Sequence, residues 1–150
     1  MPLSQAQESI ISQALMLLEE TFQREELHAT NPDHVASFCQ LKLARLEHEV
    51  FAVLFLDNQH RLISFVEMFR GTINAASVYP REVAKTALQL NAAAVVFTHN
   101  HPSGIAEPSE ADKRVTQDLR DALKLLDIRV LDHIVVGVSS TVSFAKRGLL

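Results

Sequence analysis

Two apolar runs constrain the fold of this chain more than any other feature of its sequence. Residues 49–56 and 92–98 are almost continuously hydrophobic, and Val, Phe and Ala make up most of both runs. A strand with one face in water alternates polar and apolar side chains, whereas a strand covered on both faces does not. The two runs therefore predict buried strands inside a sheet that is flanked by helices.

The remaining periodicity predicts helices and further strands around these runs. The Asp-Asn-Gln-His turn at 57–60 joins the first run to a returning strand, which makes a hairpin. Asn31-Pro32 is typical of a helix start, with Asn as the N-cap and Pro in the first turn. The predicted order is α, α, β, β, α, β, α, β, β, an α/β or α+β domain with a mixed sheet. Helices are expected at 4–22, 31–45, 80–90 and 109–126, and strands at 49–56, 61–69, 92–98, 128–138 and 142–146.

Composition narrows the class of protein. The 150 residues predict one domain, and the net charge of −4 argues against a broad phosphate-binding surface. Cys39 is the single cysteine, so no internal disulfide forms; we expect it to pack beside Val35 as a small apolar residue. The sequence has neither a membrane-length apolar run nor a visible signal peptide. We therefore expect a cytoplasmic protein with no membrane partner.

A pair of histidines follows the second apolar run. His99 and His101 are two residues apart, which in an extended chain puts both rings on one face, and Pro102 favours that extended backbone. Asp112 lies at the start of the next predicted helix. Two imidazoles and a carboxylate suit a divalent transition metal, and three protein ligands leave a fourth position for water. Taken alone, however, a His-x-His pair is more often part of a polar loop than of a metal site.

Ser109 and Asp112 also have a purely structural interpretation. Ser-x-x-Asp before an amphipathic helix resembles a capping box, with Asp in place of the usual Glu or Gln. The two interpretations are compatible, because a carboxylate in the first helical turn can cap the helix and still face the end of the strand.

Glu49 is the candidate for a general base. It precedes the first buried run, where a charge is costly unless it has a partner or a function. Strand ends are often hydrated, so both Glu47 and Glu49 could simply be solvated. His133 starts another predicted strand, and we expect a buried, hydrogen-bonded histidine there, acting either in packing or behind the metal ligands.

These residues together resemble the JAMM motif of the JAB/MPN metallopeptidase family: a glutamate, His-x-His, seven residues, then Ser-x-x-Asp. The surrounding sequence is similar to the RadC branch of that family. The similarity lies in His-Glu-Val-Phe at 48–51, the segment 71–83, His-Asn-His-Pro-Ser-Gly at 99–104, Pro-Ser at 108–109 and Leu-Asp-His-Ile at 131–134. It covers about residues 30–150 and implies a JAB/MPN, cytidine-deaminase-like fold.

The resemblance also implies a set of roles. His99, His101 and Asp112 would hold one zinc ion per chain, with water in the fourth position. Glu49 would deprotonate that water, and Ser109 would donate a hydrogen bond to the substrate oxyanion. The implied activity is zinc-dependent cleavage of an amide or isopeptide bond in a peptide or protein.

One departure from longer RadC-type proteins concerns the N-terminus. These carry a helix-hairpin-helix-like segment, whose turns need glycine, and this sequence has no glycine before Gly71. We therefore expect a short, stand-alone form, with a helical extension at residues 1–30 and the RadC-like domain at 31–150.

Two other functions stay open at this stage. One is a DNA-repair factor that acts on or near nucleic acid, although His-Asn-His at 99–101 is too compact for an HNH nuclease and the acidic balance disfavours it. The other is an interaction module without catalytic activity. The sequence identifies neither the substrate nor the oligomeric state, and it leaves a homo-oligomer open.

Overall fold

The computed structural model describes residues 2–23, 29, 31–71 and 78–150. The predicted boundary at residue 30, and residues 72–77 of the segment 71–83, lie outside the described residues. The elements are α1 (Gln5–Gln23), α2 (Pro32–Leu43), β1 (Val50–Leu56), β2 (Leu62–Arg70), α3 (Pro80–Gln89), β3 (Ala94–Asn100), α4 (Glu110–Lys124), β4 (Arg129–Val136) and β5 (Thr141–Ser143).

The five strands form one mixed sheet in the order β2-β1-β3-β4-β5. The β3–β4 pair is parallel, and the other three neighbouring pairs are antiparallel. β4 runs parallel to β3 because α4 carries the chain back along the sheet between them. The predicted element order and the mixed α/β sheet are therefore confirmed.

Both central strands are covered on both faces, as their apolar runs predict. All seven residues of β1 and all seven of β3 are buried. On one face of β1, every second residue from Val50 to Leu56 packs in a cluster with residues of α2. On the other face, every second residue from Phe51 to Phe55 packs in a cluster with residues of α3 and α4. The domain thus has three layers, and His99 projects toward the α3–α4 side.

Several element ends differ from the predicted ones, and β4 ends at Val136 and β5 at Ser143 where the prediction had 138 and 146. β3 continues past Thr98 to Asn100, because the polar residues at its end are buried in the sheet and pair with Val135 and Val136 of β4. Hydrophobicity alone cannot detect such a strand end. On α2, Leu41 is only half-buried whereas Leu43 is completely buried, so the buried face of α2 lies slightly to one side of the predicted one.

Asn31 caps α2 as predicted, since its side chain accepts hydrogen bonds from the backbone N–H groups of Asp33 and His34. Within the described ranges, no helix combines the length and hydrophobicity that crossing a bilayer requires.

Cys39 provides a direct test of the packing of α2. The thiol is fully buried, and this burial raises its pKa to about 12. We expect iodoacetamide to leave the folded protein unmodified at about pH 8 and to alkylate it rapidly in denaturant, where the thiol pKa returns to about 8.5. Because the folded pKa is the higher one, stability should fall as the pH rises from about 8.5 toward about 12. Mass spectrometry of the single cysteine measures the labelling, and equal rates in both states would contradict the packing.

Candidate metal centre

Three side chains converge where β3 ends and α4 begins. His99, His101 and Asp112 each offer a ligand atom, and these atoms lie within 4.8 Å of one another. The two Nε2 atoms are 3.0 Å apart, and each lies 3.2 Å from a carboxylate oxygen of Asp112. The group is largely shielded from water, since His99 and Asp112 are buried and His101 is half-buried. Such a group could hold a metal ion.

The ring of His101 has a defined proton position. Its Nδ1 lies 2.9 Å from the carbonyl oxygen of Ile105, and a carbonyl can only accept a hydrogen bond. Nδ1 therefore carries a proton and donates it, so in the neutral ring Nε2 keeps its lone pair for the centre. A loop whose backbone fixes the tautomer in this way is typical of metal-binding histidines.

Asp112 both caps its helix and faces the histidines. Its Oδ2 accepts a hydrogen bond from the backbone N–H of Ser109, while the Ser109 hydroxyl accepts one from the N–H of Asp112. This capping box directs the carboxylate toward the end of β3, so the structural and functional interpretations hold together. Burial would raise the pKa of Asp112, but its hydrogen bonds with His101 and His99 outweigh this and lower the pKa far below its usual value.

Ser109 stands at the exposed rim of the centre as the N-cap of α4. Its hydroxyl oxygen accepts a hydrogen bond from the backbone N–H of Asp112. A hydroxyl that accepts a hydrogen bond keeps its own proton for donation. The geometry therefore leaves Ser109 able to donate to a group bound beside the three convergent side chains.

Glu49 lies immediately before β1, close enough to the centre for its charge to act on His101. The antiparallel pairing of β1 with β3 ends at Phe51 and His99, so Glu49 and His101 each lie two residues beyond it at the same end of the sheet. The pKa of His101 is raised first by its hydrogen bond with Asp112, and the charge of Glu49 adds to this rise. The half-buried Glu49 is thus electrostatically coupled to the centre.

Asn100, the central residue of His-Asn-His, fixes the backbone around Glu49 from the other face of the sheet. Its Oδ1 accepts a hydrogen bond from the N–H of Val50 at 2.8 Å, and its Nδ2 donates to the carbonyl of His48 at 3.0 Å. The carbonyl of Glu49 itself accepts from the N–H of Gly71. The sequence interpretation gave Asn100 no role in the site, and its position between His99 and His101 was the available signal.

His133 is buried and hydrogen-bonded, as expected, and it lies behind His99. Its Nε2 is 2.7 Å from Nδ1 of His99, and its Nδ1 is 2.5 Å from the hydroxyl of Thr116. The ring stacks on Phe144, and burial lowers its pKa well below the usual value. Thr116 was missed from the sequence, where its position one helical turn after Asp112 was the only signal.

A comparison with models of protein families gives a match that covers the whole of this centre. The model of the RadC-like JAB domain matches residues 29–149, which include every residue of the centre. The chain belongs to this family. The resemblance seen in the sequence motifs is thereby confirmed, and so is the fold class expected from it.

Proteins similar to this chain include several bacterial UPF0758 proteins. One from Vibrio cholerae is 62% identical over 141 residues, which are 94% of this chain and 88% of the relative. Another from Methylibium petroleiphilum is 65% identical over 120 residues, or 80% of this chain and 54% of the relative. A third, from Shewanella baltica, is 55% identical over 135 residues, or 90% and 60%. The chain thus spans nearly all of the first relative and a little over half of the other two.

Proposed function

We propose that this protein is a zinc-dependent hydrolase of the JAMM type that cleaves an amide or isopeptide bond in a peptide or protein. The observation that carries the proposal is the convergence of two imidazole nitrogens and a carboxylate, whose ligand atoms lie within 4.8 Å of one another.

The chemistry of the three side chains fits a zinc ion. The Nε2 of His101 keeps a lone pair because its Nδ1 donates to Ile105, and this nitrogen lies 3.0 Å from Nε2 of His99. With both rings neutral, two lone pairs and a carboxylate at such distances repel one another, and either a proton on one ring or a metal ion among the three groups relieves the repulsion. Two nitrogen ligands and one oxygen ligand are a set that catalytic zinc uses, with a fourth position left open.

In the proposed reaction, His99, His101 and Asp112 would hold the zinc ion. The bound ion would supply Lewis-acid chemistry, which lowers the pKa of water to about 7 and polarises the scissile carbonyl. Glu49 accepts the proton of the attacking water and passes it to the leaving amine. The Ser109 hydroxyl donates to the oxyanion that develops on the substrate, a contact typically worth about 3–4 kcal/mol.

Zinc loading tests the first half of the proposal. At free zinc about 100-fold above the dissociation constant, binding adds about 2.7 kcal/mol to the free energy of unfolding. For a chain of this size we expect the unfolding midpoint to rise by roughly 5–10 °C. Asp112→Asn should abolish the rise, because an amide keeps the shape and the cap but loses the charge. Asp118→Asn, on the exposed face of the same helix, is the matched control and should keep it.

Elemental analysis and a peptide library complete the test. The zinc-loaded protein should contain one zinc per chain and cleave amide bonds, and chelation should stop both. A wild-type protein that takes up no metal would contradict the proposal. Zinc uptake without cleavage of any peptide or isopeptide-linked substrate would instead favour an interaction module.

A further inference from the structure

The hydrogen bonds behind His99 form a network that leads back to Asp112. His99 contacts His133, His133 contacts Thr116, and Thr116 contacts the main-chain carbonyl of Asp112. The carboxylate of Asp112 then lies 3.2 Å from Nε2 of His99. The network links β3, β4 and the first turns of α4. All four of its side chains are buried: His99, His133, Thr116 and Asp112.

The directions of these hydrogen bonds follow from what each group can donate. The Thr116 hydroxyl has one proton, and the carbonyl of Asp112 at 2.7 Å can only accept it. Thr116 must therefore accept from His133, so the proton of His133 resides on Nδ1. The reverse assignment would leave the Thr116 oxygen and the Asp112 carbonyl facing each other as two acceptors.

The same logic assigns the ring of His99. A neutral His133 that carries its proton on Nδ1 has a lone pair on Nε2, and that atom lies 2.7 Å from Nδ1 of His99. His99 must then donate from Nδ1, which leaves its Nε2 without a proton. A cationic His133 would reverse this bond, but it would place a charge among Phe51, Phe97 and Phe144, which is costly.

We propose that His133 and Thr116 are positioning residues that hold His99 in the Nδ1–H tautomer, so that its Nε2 lone pair is available to a metal ion. Many metal-binding histidines are oriented by a carboxylate or a backbone carbonyl. Here a second histidine and a threonine lie between the ligand and the carbonyl, and that carbonyl belongs to another ligand, Asp112. The inference rests on the proposed metal centre but not on the proposed hydrolysis.

Two substitutions at one position isolate the hydroxyl of Thr116. Thr116→Val keeps the shape of the side chain and removes the acceptor of the His133 proton, whereas Thr116→Ser keeps that acceptor. We expect Thr116→Val to weaken zinc binding about 10–100-fold, the usual effect of losing a partner behind a metal ligand. Thr116→Ser should bind zinc nearly as tightly as wild type, because it keeps the hydroxyl that accepts the proton of His133. Competition with a chromophoric chelator measures the affinity.

A control for general destabilisation lies on the same helix. Val115→Ala removes core volume next to Thr116 but leaves the hydrogen bonds of Thr116 and His133 in place. It should lower the unfolding midpoint of the metal-free protein and leave zinc affinity unchanged. If Val115→Ala and Thr116→Val weaken zinc binding equally, Thr116 acts only through stability and the inference is wrong.

Nitrogen-detected NMR of the metal-free wild-type protein reads the tautomer directly, and it does so even if a variant fails to fold. At alkaline pH, Nδ1 of His99 should show the shift of a protonated ring nitrogen, and Nε2 that of an unprotonated one. The opposite pattern would overturn the inference. A correct tautomer in a protein that cleaves nothing would contradict the proposed hydrolysis alone, so the two failures are distinguishable.

Discussion

Glu49→Gln is expected to leave zinc binding intact and to lower the rate of hydrolysis about 10²–10⁴-fold, the range of a general base. Glutamine keeps the length and polarity of the side chain but cannot take a proton from water. Glu49 is not among the three groups whose ligand atoms converge, so the zinc-induced rise in the unfolding midpoint should persist. The rate measured at saturating substrate and the zinc content of the variant are the two measurements.

Glu47→Gln is the matched control for this substitution. Glu47 is exposed and lies two residues earlier in the chain, so its amide variant changes the net charge equally without changing the centre. It should retain the wild-type rate. If Glu47→Gln and Glu49→Gln slow the reaction to the same extent, the effect is one of overall charge, and Glu49 loses its role as the base.

The layered fold could be predicted from the sequence because its main determinants are local sequence patterns. The apolar runs of β1 and β3 show no polar face, and the structure buries all of both strands. The N-cap at Asn31 and the capping box of Ser109 and Asp112 depend only on residues within one helical turn. Hydrophobic periodicity and helix capping depend on residues that are close in sequence, so both can be recognised in the sequence alone.

The convergence of His99, His101 and Asp112 could be predicted because two of them lie at or just after the end of one strand and the third lies in the first turn of the next helix. The residues that support it were harder to find, since they meet only after folding. Asn100 reaches across 52 positions to the carbonyl of His48, and His133 lies 34 positions from His99. In a single sequence a buried polar side chain of this kind looks the same as a solvated one. The strand end at His99 and Asn100 was missed for the same reason.

Gly137→Ala is expected to lower both the stability and the zinc affinity of the protein. A Cβ at Gly137 would lie 2.5 Å from the carbonyl oxygen of Gly104 and 3.2 Å from the backbone nitrogen of Ala106. Both are main-chain atoms, so no rotation of a side chain relieves the clash. The segment between them contains Ile105, whose carbonyl accepts the proton of His101 Nδ1 at 2.9 Å. Displacing the backbone to fit a methyl group therefore moves the group that orients a ligand.

Overpacking of this kind typically costs about 1–3 kcal/mol, and we expect urea unfolding of the metal-free variant to show it. Zinc affinity should fall about 10–100-fold as His101 loses its fixed orientation. Val138→Ala is the control, because Val138 is the exposed neighbour of Gly137 and its N–H bonds to the same Gly104 carbonyl. It should change neither quantity appreciably. A Gly137→Ala protein that is destabilised yet binds zinc as wild type would show that His101 keeps its orientation without the Ile105 carbonyl.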